Sequence, residues 1–114
     1  MVLTVAQELA QAIRTSPEYV EYAEAKERVE ESDTAMALIK EYKKLQVSLQ
    51  MNAMAGQGMP SESMQRFSQI SSLLYGGTDT SRYLLAEMRL QKMMADVFKL
   101  LTDAADMQLD LPEM

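Results

Sequence analysis

Between Thr34 and Ala55 the apolar residues Ala35, Leu38, Tyr42, Leu45 and Leu49 recur at alternating steps of three and four. That spacing keeps them on one face of an α-helix and predicts a helix of roughly 33 Å. Met36, Ile39 and Met54 widen the stripe, and Ser32 or Asp33 supplies an N-cap. Gly56-Gln-Gly58-Met-Pro60 then stops the helix. A glycine there can take the left-handed backbone that closes a helix, and Pro60 cannot continue the hydrogen-bond ladder. Ser61 caps a fourth helix with Met64, Phe67, Ile70 and Leu74 on one face, ended by Gly76-Gly77. Two amphipathic helices joined by so short a break bury their stripes against each other as an antiparallel hairpin.

The flanking segments follow the same period. Thr4 and Gln7 fit a capping box, and Leu3, Ala6, Leu9, Ala10 and Ile13 carry a first helix to Arg14. Ser16-Pro17 opens a second, to about Glu31, with Tyr19, Tyr22 and Val29 as its apolar contacts. Thr78 or Asp79 opens the last and longest helix, to about Gln108. It bears two apolar stripes, one of Leu84, Met88, Ala95, Phe98 and Ala105, the other of Leu90, Met94, Val97, Leu101 and Ala104. A helix apolar on two adjacent faces is central to its domain or shared with a second subunit. The expected fold is all-α, with four to five helices and the hairpin packed on the long C-terminal helix. One domain covers residues 1–108 and a flexible tail residues 109–114. Leu84, Met88, Leu90, Met94, Val97 and Leu101 are expected to form core or interface in a homodimer.

Composition narrows the chemistry. The 114 residues contain neither Cys nor His. Disulfides, Cys/His zinc sites and the usual Ser-His-Asp and Cys-His nucleophile pairs therefore have no internal residues to form them. The net charge of −6 offers no basic footprint for direct nucleic-acid binding. No segment approaches the ~20 apolar residues of a membrane span, and the start of the chain lacks the basic and apolar blocks of a signal peptide. A cytoplasmic protein is the expectation.

Three local features invite a functional reading. Glu18, Glu21, Glu24, Glu27 and Glu30 repeat every three residues. Each step turns the helix by ~300°, so they wind around it and form a solvated acidic ridge rather than an ion site. Asp103, Asp106 and Asp110 share a helical face, again read as solvated. Met51, Met54, Met59 and Met64 cluster at the hairpin turn. Thioethers suit a soft metal, but the chain is Met-rich throughout, with eleven in all. The expected reading is a turn whose Met54 and Met59 form an adaptable contact surface. No catalytic residue, metal ligand or cofactor-binding residue is nominated by spacing.

Ala6, Leu9, Ala10 and Ile13, then Ser16-Pro-Glu-Tyr19, Tyr22, Ala25, Ala35, Leu38-Ile39, Tyr42, Leu45-Gln46, Leu49-Gln50, Gly58, Tyr83-Leu84, Glu87, Leu90 and Asp96 resemble the YlbF/YmcA/YheA family of small bacterial helical proteins. The resemblance runs from about Leu3 to Ala105. It implies an all-helical, dimeric, non-enzymatic regulatory adaptor; no cofactor is expected of a chain without Cys or His. It implies kinship with subunits that influence competence, sporulation, biofilm formation and ribonuclease-dependent mRNA processing. A hetero-complex with a YmcA-like protein or with ribonuclease-regulating proteins follows as an expected partnership. Some relatives are linked to iron–sulfur clusters through cysteines, which this chain lacks. The alternative function is a small-molecule or soft-metal sensor holding its ligand between helices near the methionine-rich turn.

Overall fold

A computed structural model describes residues 1–106 of the chain. Five helices follow one another: α1 (Val2–Arg14), α2 (Pro17–Glu30), α3 (Asp33–Met54), α4 (Ser61–Gly76) and α5 (Thr78–Ala105). No strand occurs among the described residues. The all-α expectation holds, with the larger number of helices.

The helix ends are set by local chemistry. Ser32 caps α3, its hydroxyl accepting from the Ala35 amide at 3.1 Å. At the other end Gly56 adopts φ 73°. The Gly56 amide donates to the Ala53 carbonyl at 3.1 Å and the Gln57 amide to Asn52 at 2.8 Å. These two bonds form a Schellman closure and satisfy carbonyls that the helix leaves open. Ser16 performs both tasks at the α1–α2 junction. Its hydroxyl donates to the Ile13 carbonyl at 2.6 Å and accepts from the Tyr19 amide at 3.2 Å.

Three expected ends are corrected. α1 begins at Val2, not at Thr4, and Met1 in the N-cap position offers no side-chain cap. Its first ladder bond already runs from the Val5 amide to the Met1 carbonyl, so Thr4 lies inside the helix and the capping box does not form. Ser61 is the first residue of α4 and not its cap, because Pro60, extended at ψ 146°, occupies that position. α5 ends at Ala105, where Asp106 turns left-handed at φ 51°, a conformation Asp tolerates better than most side chains. Residues 107–114, which include the expected last helical turn, Asp110 and the 109–114 tail, lie outside the described residues.

Two compact units arise, one of Met1–Glu24 with the described residues from Leu84 onward, the other of Ala25–Tyr83. The second holds the antiparallel α3–α4 hairpin and most of the core. Ile70 and Leu74 on α4 are fully buried, with Ile39 and Tyr42 on α3, Ala25 and Val29 on α2 and Tyr83 on α5. The Tyr42 ring stacks on Phe67 with centroids 5.2 Å apart and meets Tyr75 edge-on at 6.5 Å. Offset and edge-on pairs of this kind add to what burial alone contributes. Across the same hairpin, Arg66 grips Glu41 through two bonds, Nε to Oε1 at 2.8 Å and Nη2 to Oε2 at 2.9 Å. The two-bond fork forms where this register brings the two side chains opposite each other. That bond holds the Glu41 carboxyl below its usual range. Arg28 pairs with Asp79 at 3.6 Å rather than within the acidic ridge of α2.

Candidate interaction surface

The first unit carries little core of its own. Among its described residues only Leu84 and Ala86 are buried, and α1 has no buried residue at all. Large apolar side chains stand open instead: Met1, Val2, Leu3, Val5 and Val20, then Leu85, Met88, Met94, Leu100 and Leu101. An amphipathic helix that buries nothing contributes little to folding, because helix stability in proteins comes chiefly from packing the apolar face.

Two grooves shape this unit. One, of about 380 Å³, is lined by Met1, Val2, Val5, Ala6 and Leu9 of α1 and by Leu101 of α5. Its wall is entirely apolar. The other, of about 790 Å³, lies between the start of α2 and the middle of α5. Pro17, Glu18 and Glu21 form one side, Ala86, Arg89, Lys92, Met93 and Asp96 the other. Lys92 is held by Asp96 one turn on, at 3.3 Å. The acidic α2 side and the mixed α5 side bring both signs of charge to the second groove.

The structure sorts the expected interface residues. Leu84 is core. Met88, Met94 and Leu101 are exposed, while Leu90 and Val97 are half-buried. Leu101 is the one of these that lines the apolar groove. Met54 and Met59 belong to the other unit, at the hairpin turn, where Met54 is 88% exposed and Met59 half-buried. Met51 and Met64 are exposed as well, so Met54 does not extend the apolar seam of α3. On α5 both stripes are largely uncovered beyond Ala86, a residue the two-stripe reading left out. On α1 the groove is lined by Met1, Val2, Val5, Ala6 and Leu9, which shares Ala6 and Leu9 with the expected stripe and takes Met1, Val2 and Val5 in place of Leu3, Ala10 and Ile13. The 2-5-9 spacing is a helical period that comes into phase because α1 starts at Val2 rather than at Thr4. Of the acidic candidates, Asp103 faces Lys99 at 3.9 Å, and no cluster of acidic residues able to hold a metal occurs among the described residues.

A helical chain with its own hairpin core and a second unit of open apolar helices has the layout of an association protein. Residues 2–105 match the family described as control of competence regulator ComK, YlbF/YmcA. The chain belongs to that family. Among its relatives, a UPF0342 protein of Symbiobacterium thermophilum is 31% identical over 107 residues, 94% of each chain. A UPF0342 protein of Caldicellulosiruptor saccharolyticus is 30% identical over 107 residues, 94% of this chain and 89% of its own. Two solved structures share the fold. A Bacillus stearothermophilus protein of unknown function (DUF964) superposes with a TM-score of 0.72 at 20% identity, over 92% of both chains. Bacillus subtilis RicA, solved in complex with RicF, gives a TM-score of 0.60 at 21% identity, over 92% of this chain and 93% of that one. The family is linked to competence regulation. No helix among the described residues is long and apolar enough to cross a membrane.

Proposed function

We propose that this chain is a non-enzymatic regulatory adaptor of the cytoplasm. It acts by association, as a homodimer and in a hetero-complex with a related chain. The observation that carries the reading is the first unit, where α1 and the distal part of α5 expose apolar side chains that a folded chain normally covers. RicA, of the same fold, was solved in complex with RicF, and that precedent supports a family partner. The finer role we propose is influence on competence, sporulation, biofilm formation and ribonuclease-dependent mRNA processing. We take residues 1–108 as one functional domain, a reading supported by the family match over 2–105. The soft-metal alternative has no comparable support, since Met51 and Met54 stand open to solvent.

The test is recovery of the tagged full-length chain from its native cells at its native level. A second YlbF/YmcA-family chain should come with it in stoichiometric amount, and Met88→Glu with Met94→Glu should release it. Recovery of this chain without any family member, under conditions where a known family pair is retained, refutes the hetero-complex.

A further inference from the structure

We infer that the outward face of α3 seats an acidic amphipathic helix of a partner protein. The inference goes beyond the adaptor reading above: it places a separate contact surface on the second unit and states the chemistry of what covers it. Lys40, Lys44, Val47, Met51 and Met54 recur at steps of four, three, four and three. That spacing is a heptad seam along one side of the helix. Tyr42, buried in the hairpin core, lies about 140° around the helix from Val47.

All five seam residues are exposed. Val47 is 54% open, Met51 64% and Met54 88%, so the hairpin does not use them for its own core. A row of large apolar side chains left open by the fold marks a contact surface. Between its outermost residues the row runs about 21 Å, the length of two heptads of a second helix. Lysine stems extend such a strip while their ammonium groups stay in water.

Charge sets the chemistry of the occupant. Neither Lys40 nor Lys44 has an ion-pair or hydrogen-bond partner among the described residues. Lys43 is engaged within the unit, its Nζ donating to the Tyr83 hydroxyl at 3.2 Å and lying 5.3 Å from the ring centroid. Glu41, the acid of this stretch, is gripped by Arg66. Lys40 and Lys44 are thus a positive spot on a chain of net charge −6. A helix with apolar residues opposite Val47, Met51 and Met54 and carboxylates opposite the two lysines satisfies both halves of the seam. Methionine lets the apolar half adapt to its partner. A second copy of the seam is a poor occupant. Antiparallel pairing sets lysine against methionine, parallel pairing sets lysine against lysine, and both desolvate ammonium groups without a counter-charge. Two cations are too few to hold a nucleic-acid backbone against the acidity of the whole chain. An interfacial membrane helix carries its lysines on the face opposite the apolar row, not within it.

The test uses the purified full-length chain and synthetic three-heptad peptides with capped ends. In the acidic probe two successive seam positions are glutamate and the rest leucine. It is made with the glutamates first and with them last, for a parallel and an antiparallel seating. The basic probe has lysine in place of the glutamates. Binding is read by fluorescence anisotropy and fold by helical circular dichroism. The acidic probe should bind saturably, and the basic probe more weakly by about 10-fold or more. Lys40→Glu with Lys44→Glu should reverse that preference with helicity retained, and Met51→Gln should weaken both probes alike. Equal binding of the two probes overturns the inference, as does a preference that survives the lysine reversal. No saturation by the acidic probe up to about 1 mM overturns it too. Met51→Cys, the sole thiol of its chain, joining to its counterpart through a short bis-maleimide would seat a second copy there. Vesicles of phosphatidylserine and phosphatidylcholine that bind the parent and not the lysine-reversed chain would seat a membrane. Either result overturns the inference. None of these variants touches the first unit, so failure here leaves the adaptor reading standing, and failure of the co-recovery experiment leaves this seam standing.

Discussion

Raising the pH should loosen the α3–α4 hairpin through one residue. Tyr42 is only 6% exposed, and burial, followed by its hydrogen bond with Tyr75, pushes its hydroxyl from 10.0 to about 12. The neutral form is the one the fold favours. Stability from this group is therefore fully present below about pH 10, where neither state ionises. It is lost as pH climbs towards about 12, because the unfolded chain ionises first. A rise of about two pH units, at about 1.4 kcal/mol each, amounts to about 3 kcal/mol, a large share of the ~5–15 kcal/mol that holds a domain folded. Tyr42→Phe isolates the effect. It keeps the stack on Phe67 but loses the bond that Gln46 Nε2 donates to the hydroxyl at 3.2 Å. At neutral pH it should be less stable than the parent by about 0.5–1.5 kcal/mol. Above about pH 10 the gap should close and reverse. Urea unfolding at matched pH, with tyrosinate absorbance recorded alongside, reads both curves. If the two proteins lose stability in parallel from about pH 10 to 12, Tyr42 is not the group responsible.

Leu74→Ala, at a fully buried site, should cost about 2–5 kcal/mol in the same unfolding assay, whereas a loss below about 1 kcal/mol would mean the hairpin core collapses around the gap. Gly56→Ala forces a Cβ into a φ of 73° and should lower stability by about 1 kcal/mol. Gly58→Ala, with open space and no left-handed backbone, should leave stability level or slightly raised; equal losses at both would contradict the closure at Gly56. Met54→Gln, at a side chain open to solvent, should leave the melting temperature nearly unchanged. A loss on the scale of Leu74→Ala would place Met54 in the core.

The sequence by itself determined that the chain is helical and where most of the breaks between helices fall. Period-3.6 stripes, Ser32, Ser16-Pro17, the Gly56–Pro60 break and Gly76-Gly77 are local signals, and each acts within a few residues of where it lies. The missing Cys and His likewise settled which chemistries have no ligands. Tertiary structure decided the rest, because periodicity names a face but not its neighbour. Both stripes of α5 look alike in sequence. Yet Leu84 and Ala86 are buried, while Met88, Met94 and Leu101 are open. The choice of Gly56 over Gly58 depends on which carbonyls the turning chain reaches, and the Glu41–Arg66 pair joins residues 25 apart only once the hairpin has set its register. Tyr42 is one more tyrosine in the sequence. Its raised hydroxyl comes from the rings and helices that exclude water around it, a property no window along the chain contains.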